Sequence, residues 1–530
     1  MSREIALIVI MIVGLVLRLW QLDTALWYDE AFSAWLAQLP LERLIEATLG
    51  DVHPPGYYLI LAGVERLLGP DEIALRLPSL MAGWLLIPTV YALGGSLRLD
   101  ERAVWTATVL TALAPFQIHY STEARPYALL TLAVAGAGYF VISRRWWWAA
   151  GASLAALYLH NLAPLFIGGV WLAGVTFHLS RFNHRITSFS LDWEKYRENA
   201  YGLAGALVAI GLGYIPGFLT TLRQAAAVGG GYWIPSIDHP GRIIASMDDL
   251  LWFTMEREFV LATGLLTGLF LVLILADLVT PAALAIDRTI TKLVSRSPAT
   301  RVPGSSAPLL PGSSAFLALA TALPLVGLII ASMVWQPLLI SRSLAPLAPF
   351  YYLLLAVTIT RTRRRWVTVT ALAGPVLATI LVMLLLGWSG RKPVDWELLN
   401  LVPADAALYH LGVGSYVGWK YYRPELRQYV WPSQTSLSQS LTVQTRRAMG
   451  MDQADFNLIK CAQFGDGQGG LHRPEWYLIY FNNPVTQPDE FTYINNLAER
   501  YEFQTIRTLR DDPTVEARLV KVNYQCPERS

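Results

Sequence analysis

The sequence predicts a mainly α-helical, polytopic membrane protein: a bundle of about eleven transmembrane helices, residues 1–390, followed by a soluble extracytoplasmic α/β domain, residues 391–530. Three observations predict it. Of 530 residues, 54% are hydrophobic and only 15% charged, and mean hydropathy is +0.39. An ordinary soluble protein carries about 25% charged residues. Apolar runs of spanning length recur as far as residue 388, and beyond residue 390 the pattern changes to short alternating runs separated by Gly, Asn and Pro.

A membrane-spanning helix needs about 20 mostly apolar residues. Runs of that kind lie near 5–20, 74–97, 103–119, 127–142, 146–161, 163–180, 200–222, 259–279, 314–334, 343–360 and 366–388. As one helix, the stretch 146–180 would be about 52 Å long, well beyond a bilayer core. Asn161 and Pro164 offer a break, so it is read as two crossings. The first run ends at Leu19-Trp20 without a small-residue cleavage site and is expected to be retained. Many of the 19 Trp and 24 Tyr sit at the ends of runs, where amphipathic rings favour the lipid–water boundary.

Basic loops set the orientation. Arg144 and Arg145, then Arg181 and Arg185, then Arg288, Lys292, Arg296 and Arg301, then Arg361 and Arg363 to Arg365 fall in alternate loops, expected to be cytoplasmic. The loop 21–73 carries a large acidic excess and is expected outside; loop 223–258 is also acid-biased. Eleven crossings from a cytoplasmic N-terminus also place the tail outside. Within loop 21–73, residues 54–68 read as an interfacial helix too short to span. Residues 295–314 read as a flexible cytoplasmic linker. In the tail, 475–481 and 515–522 read as strands and 488–501 as a helix.

A net charge of +2 gives no electrostatic case for nucleic acid. The two cysteines, Cys461 and Cys526, form no zinc or redox motif. Both fall in the exported tail, where disulfides persist, and a bridge would close a loop of about 65 residues.

Ionisable residues near membrane helices are functional candidates because burying them is costly. Four groups qualify, all on the expected external side. In Trp27-Tyr28-Asp29-Glu30, adjacent carboxylates suit a general base and a metal or substrate ligand; the structural alternative is Asp29 capping a helix from Ala31 to Leu39. In Asp51-Val52-His53-Pro54-Pro55, the prolines fix an extended entry and start a helix, holding Asp51 and His53 at the interface. A His so placed can bind a phosphate or a metal; the alternative is a helix-start turn with a solvated ring. The connection His119-Tyr120-Ser121-Thr122-Glu123-Ala124-Arg125-Pro126-Tyr127 packs an acid, a base and hydroxyls into a few residues. Arg125 suits a phosphate through its planar fork; the alternative is a Glu123–Arg125 surface pair. Arg342, the only charge in a long apolar stretch, either snorkels to the surface or meets an anionic head group.

The ordered series Trp27-Tyr28-Asp29-Glu30, His53-Pro54-Pro55 with Tyr57-Tyr58-Leu59, Leu75-Arg76-Leu77-Pro78-Ser79 and Glu123-Ala124-Arg125-Pro126-Tyr127 resembles the first blocks of the GT-C superfamily. The similar branches are the protein O-mannosyltransferases, aminoarabinose transferases and RgtA-like bacterial enzymes. The resemblance covers roughly residues 1–180; beyond that it rests on helix character and on Arg342 with Pro346. It implies transfer of a sugar from a polyprenyl-phosphate donor to a glycan, lipid or protein acceptor at the external face of the plasma membrane. Asp29 is the implied base; read from the residues themselves, Glu30, Asp51, His53, Glu123, Arg125, Tyr127 and Arg342 are the candidate substrate contacts. Where the aminoarabinose branch has Lys before the two prolines, this chain has His53. Some branches use a divalent metal, for which Glu30, Asp51 and His53 are the candidate ligands.

Two other classes compete. A transporter or flippase of lipid-linked sugars predicts repeat symmetry and polar groups on both faces, which the sequence lacks. A membrane-anchored envelope binding or assembly protein leaves the external cluster unexplained.

Overall fold

The structure, a computed structural model, describes residues 2–19, 22–51, 53–187, 193–227, 237, 241–250, 311–361, 396–410, 413–430, 476–482, 502–512 and 515–523. The described helices begin with α1 (Arg3–Leu19), α2 (Tyr28–Gln38), α3 (Leu41–Leu49), α4 (Gly56–Leu68), α5 (Glu72–Ser96), α6 (Glu101–Leu113) and α7 (Pro115–Ser121). They continue with α8 (Tyr127–Ile142), α9 (Trp146–Leu159), α10 (Ala163–Thr187), α11 (Trp193–Ala227) and α12 (Gly241–Asp249). After these come α13 (Pro311–Val334), a 3-10 segment (Ser341–Leu347) running into α14 (Ala348–Arg361), α15 (Trp396–Leu401) and α16 (Val413–Tyr422). The strands are β1 (Ala407–His410), β2 (Arg427–Val430), β3 (Trp476–Asn482), β4 (Glu502–Asp512) and β5 (Val515–Asn523). The chain divides into two compact units. The first takes in Met1–Gln21, Arg76–Leu219 and Ile234–Trp388; the second takes in Leu22–Leu75, Thr220–Trp233 and Ser389–Ser530.

The first unit is helical. Among the described residues, five segments are long and apolar enough to cross a membrane: Glu72–Ser96, Ala163–Ser180, Arg197–Ala225, Gly312–Val334 and Ser341–Arg361. The protein is an integral membrane protein on this ground. Helix α8 spans the residues expected of it, 127–142, and with 16 residues is shorter than these five segments. The expected runs 259–279 and 366–388 lie outside the described residues, as do residues 295–310 of the linker.

The expected single span 103–119 is broken. Pro115 has no N–H to continue the ladder, so α6 ends at Leu113 and α7 starts afresh at Pro115. The break expected in 146–180 is present. His160 leaves the helix in an extended conformation, its ring Nδ1 accepts from the Leu162 N–H at 3.1 Å, and Pro164 occupies the first turn of α10. The two resulting helices are tied by Trp171 Nε1, which donates to Ser153 Oγ at 2.9 Å.

Rings of Phe177, Phe316 and Phe350 meet edge-on in the core of this unit, with centroids 6.3 and 6.0 Å apart in succession. Helix α1 leaves Ile5, Ile8, Val9, Ile12, Val13 and Val16 exposed, a surface suited to lipid.

The second unit brings the first loop together with the tail. The interfacial helix expected over 54–68 is α4, closed by Gly69 at φ +94°, a left-handed terminus that favours glycine. The sheet order is β2-β1-β3-β5-β4. β1 runs parallel to β2 and β3, whereas β5 is antiparallel to β3 and β4. β3 and β5 lie where alternation predicts strands. Helix α16 makes the crossover between the parallel β1 and β2, as such a pair requires. It anchors in the core through Trp419, clustered with Leu398, Leu408, Leu426 and Leu519. His410 is buried beside that helix with Nε2 3.1 Å from Gln428 Oε1, and burial pushes its pKa down to about 3, so the ring stays neutral. The expected helix 488–501 and both cysteines, Cys461 and Cys526, lie outside the described residues.

Candidate active site

The sequence-predicted residues fall into two clusters, one in each unit.

In the second unit, Asp29 and Glu30 occupy the first turn of α2. The expectation that Asp29 caps a helix starting at Ala31 is corrected: the helix begins at Tyr28, with Trp27 at its cap. The cap function passes to Glu30, which is fully buried and accepts from the Trp27 backbone N–H at 3.4 Å, the acidic half of a capping box. Asp29 is only partly buried; its backbone carbonyl accepts from Ser33 Oγ at 2.8 Å. A helix N-terminus favours negative charge, so one turn accommodates both carboxylates. Their roles divide: Glu30 holds the helix start, and Asp29 is the more accessible of the two.

Asp51 and His53 form a pair, with Nδ1 of His53 3.1 Å from Oδ2 of Asp51. The same loop is pinned by Gln224 at the end of α11, a buried amide whose Nε2 donates to the carbonyls of Thr48 (2.7 Å) and His53 (3.1 Å). Two backbone acceptors held by one side chain keep the Asp51–His53 turn in a defined position.

In the first unit, the turn joining α7 to α8 is buried. Glu123 is 2% exposed and Arg125 3%, which excludes the reading of a solvated surface pair. The Arg125 N–H donates to the Glu123 carbonyl at 2.7 Å, and the Arg125 carbonyl accepts from Ser79 Oγ at 3.0 Å. Tyr127 starts α8 after Pro126. Its ring centroid lies 6.0 Å from Cζ of Arg125 and 5.9 Å from Cζ of Arg342, at the outer range of a cation–π contact. The two guanidinium carbons are therefore no more than about 12 Å apart. Arg342 sits in the 3-10 segment between Ser341, whose hydroxyl donates to Asp249, and the fully packed start of α14. The Tyr120 hydroxyl lies in the field of Glu123, Arg342 and Asp249. Two cations meet one ring, Arg125 buried and Arg342 half-buried, a combination suited to an anionic partner.

Sequence reasoning missed Arg18. It is fully buried at the end of α1. Its guanidinium donates to the carbonyls of Gly14 (2.9 Å), Ala112 (2.9 Å) and Thr111 (3.0 Å) and to Ser121 Oγ (3.1 Å). Thr111 and Ala112 are in the last turn of α6, where helix carbonyls lack partners because Pro115 ends the ladder. Ser121 closes α7, immediately before the Glu123–Arg125 turn. Gly83 faces it so closely that an added Cβ would lie 1.9 Å from Ser121 Oγ. A charge inside an apolar run was the available signal. Arg18→Met is expected to destabilise the protein by about 3 kcal/mol or more, because it orphans several buried acceptors of a charged donor. Thermal unfolding in detergent measures it; an unchanged midpoint would mean those carbonyls find other partners.

Among the described residues, no three His, Cys, Asp or Glu side chains come together as a metal site. Glu30, Asp51 and His53 are accordingly not gathered into one such cluster, and Asp51 and His53 meet as a pair.

No protein-family profile matches the chain, and no curated protein matches it by sequence. Solved structures do. ArnT from Cupriavidus metallidurans bound to undecaprenyl phosphate is 12% identical, with 98% of each chain covered and a TM-score of 0.50. The archaeal oligosaccharyltransferase AglB from Archaeoglobus fulgidus, in complex with an inhibitory peptide and a dolichol-phosphate, is 12% identical over 80% of this chain and 64% of its own, with a TM-score of 0.36. The match to ArnT covers almost the whole of both chains and shows that the chain shares the fold of that structure.

Proposed function

We propose that the chain transfers a sugar from a polyprenyl-phosphate donor to an acceptor at the extracytoplasmic face of the membrane, by an inverting displacement with Asp29 as base. The observation that carries this reading is the approach of Arg125 and Arg342 to the Tyr127 ring, with Arg125 and Tyr127 buried and Arg342 half-buried beside a membrane helix. The ArnT structure, whose fold the chain shares, holds undecaprenyl phosphate, which supports the choice of anion.

In this reading the two guanidiniums hold the donor phosphate and stabilise charge developing on it as the glycosidic oxygen departs. Phosphate is a good leaving group, so no acid is required opposite it. The acceptor hydroxyl is a weak nucleophile, and Asp29 takes its proton as it attacks the anomeric carbon. One carboxylate with cations replaces the two carboxylates of a glycosidase. The bundle of about eleven helices, the cytoplasmic N-terminus and the exported tail of residues 391–530 belong to the same proposal.

Sealed vesicles with radiolabelled polyprenyl-phosphate sugars and an envelope-extract acceptor test both chemistry and orientation. Transfer is expected when donor and acceptor are added to right-side-out vesicles carrying the protein, with release of polyprenyl phosphate. Movement of labelled lipid across the bilayer without transfer would replace this reading by a flippase. Transfer confined to inverted vesicles would reverse the orientation.

A further inference from the structure

Loop 21–73 leaves the first helix and returns to α5, and both of its ends are met by one helix of the tail. Leu26 is fully buried, three residues before Asp29, and its backbone N–H donates to the Tyr422 hydroxyl at 2.8 Å. The same hydroxyl donates to Glu72 Oε1, at the start of α5, at 2.9 Å. The neighbouring Tyr421 hydroxyl donates to the Pro70 carbonyl at 2.9 Å. Six residues before Tyr422 on α16, the Tyr416 ring packs against Trp35 of α2, with centroids 6.4 Å apart. Trp419, one turn before Tyr422, fixes α16 in the sheet core, and Tyr422 itself packs against that cluster. A buried N–H must find an acceptor, and here the tail supplies it.

We propose that the C-terminal domain sets the position of the catalytic loop, with Tyr422 as a positioning residue that clasps its two ends. The inference rests on the reading of Asp29 as base for its kinetic consequence, but not for its structural one. Burial raises the pKa of the Tyr422 hydroxyl, with the nearby Glu72 carboxylate adding to the rise. The group therefore stays protonated at neutral pH and can donate to Glu72 while accepting from Leu26. The clasp acts on the entry to α2, where a small displacement would move Asp29 away from the acceptor hydroxyl, and misplacement of about 1 Å can cost about 100-fold in rate.

The test uses Tyr422→Phe in the full-length protein, a change that keeps the ring and removes the hydroxyl. Hydrogen exchange by mass spectrometry is expected to rise several-fold in peptides covering 22–38 and 69–75, and to stay unchanged in α8. kcat is expected to fall about tenfold or more, with KM for the lipid-phosphate sugar unchanged. Tyr421→Phe is the second variant; it removes the Pro70 bond and the hydroxyl's contact with Gln38 but leaves the Leu26 bond, and should raise exchange at 69–75 but not at 22–30. Unchanged exchange at 22–38 in Tyr422→Phe overturns the clasp whatever the activity does. Raised exchange with normal kcat overturns the positioning role. If Asp29→Asn proves active while Tyr422→Phe still loosens the loop, the base assignment fails and the clasp stands.

Discussion

Asp29→Asn is expected to abolish sugar transfer while expression, folding and donor binding stay near those of the wild type. Asn preserves the shape, and the helix start is held by Glu30 rather than by Asp29, so the substitution spares the cap. What it removes is a proton acceptor. General-base catalysis is typically worth a factor of about 10²–10⁴. The measurement is turnover of labelled polyprenyl-phosphate sugar beside a binding assay for the same lipid. More than roughly a tenth of wild-type turnover would rule out the base role on this scale. Glu30→Gln is the informative companion. An amide can still accept from the Trp27 N–H, so its effect should be small.

Arg125→Ala and Arg342→Ala should each lower turnover by about 10²-fold or more, the scale of one preorganised donor lost from a developing oxyanion. A lysine at either position keeps the charge but loses the planar fork, so partial recovery is expected. Because both arginines approach the Tyr127 ring, the double Ala variant should cost less than the product of the singles. Near-normal turnover in both single variants would remove these arginines from the reaction. Thermal unfolding separates this from misfolding, since Arg125 is buried and its loss also disturbs the turn.

Much of the fold was legible because bilayers impose simple rules on length and polarity. α8 spans 127–142 as read, α4 fills the interfacial stretch, and the break after His160 follows from Asn161 and Pro164. Within 103–119 the length rule misled: Pro115 was visible, but a run of the right length outweighed it. At Trp27 the capping signal was hidden, because a Trp at the cap does not advertise a helix start as Ser or Asp would. Glu123 and Arg125 were found, but their burial was not, since adjacent opposite charges in a short connection ordinarily face water. Gln224 and Tyr422 were beyond reach for a different reason. Each acts on backbone groups 171 to 396 residues away, and an amide or phenol in a polar stretch carries no sign of its partner.

The buried arginine of the first helix bears on how the protein is made. Placing an arginine in the hydrocarbon of a bilayer is unfavourable by about 2.5–3.5 kcal/mol on insertion scales. The acceptors that satisfy Arg18 are residues 111, 112 and 121, nearly a hundred positions further along the chain, with only Gly14 nearby. When the first helix leaves the ribosome, those acceptors have not been synthesised. The helix must therefore wait with its arginine drawn toward the head groups, and settle to its final depth only after α6 and α7 arrive. Biogenesis of the bundle thus has a built-in order, in which the first segment inserted is seated only after α6 and α7 have followed it.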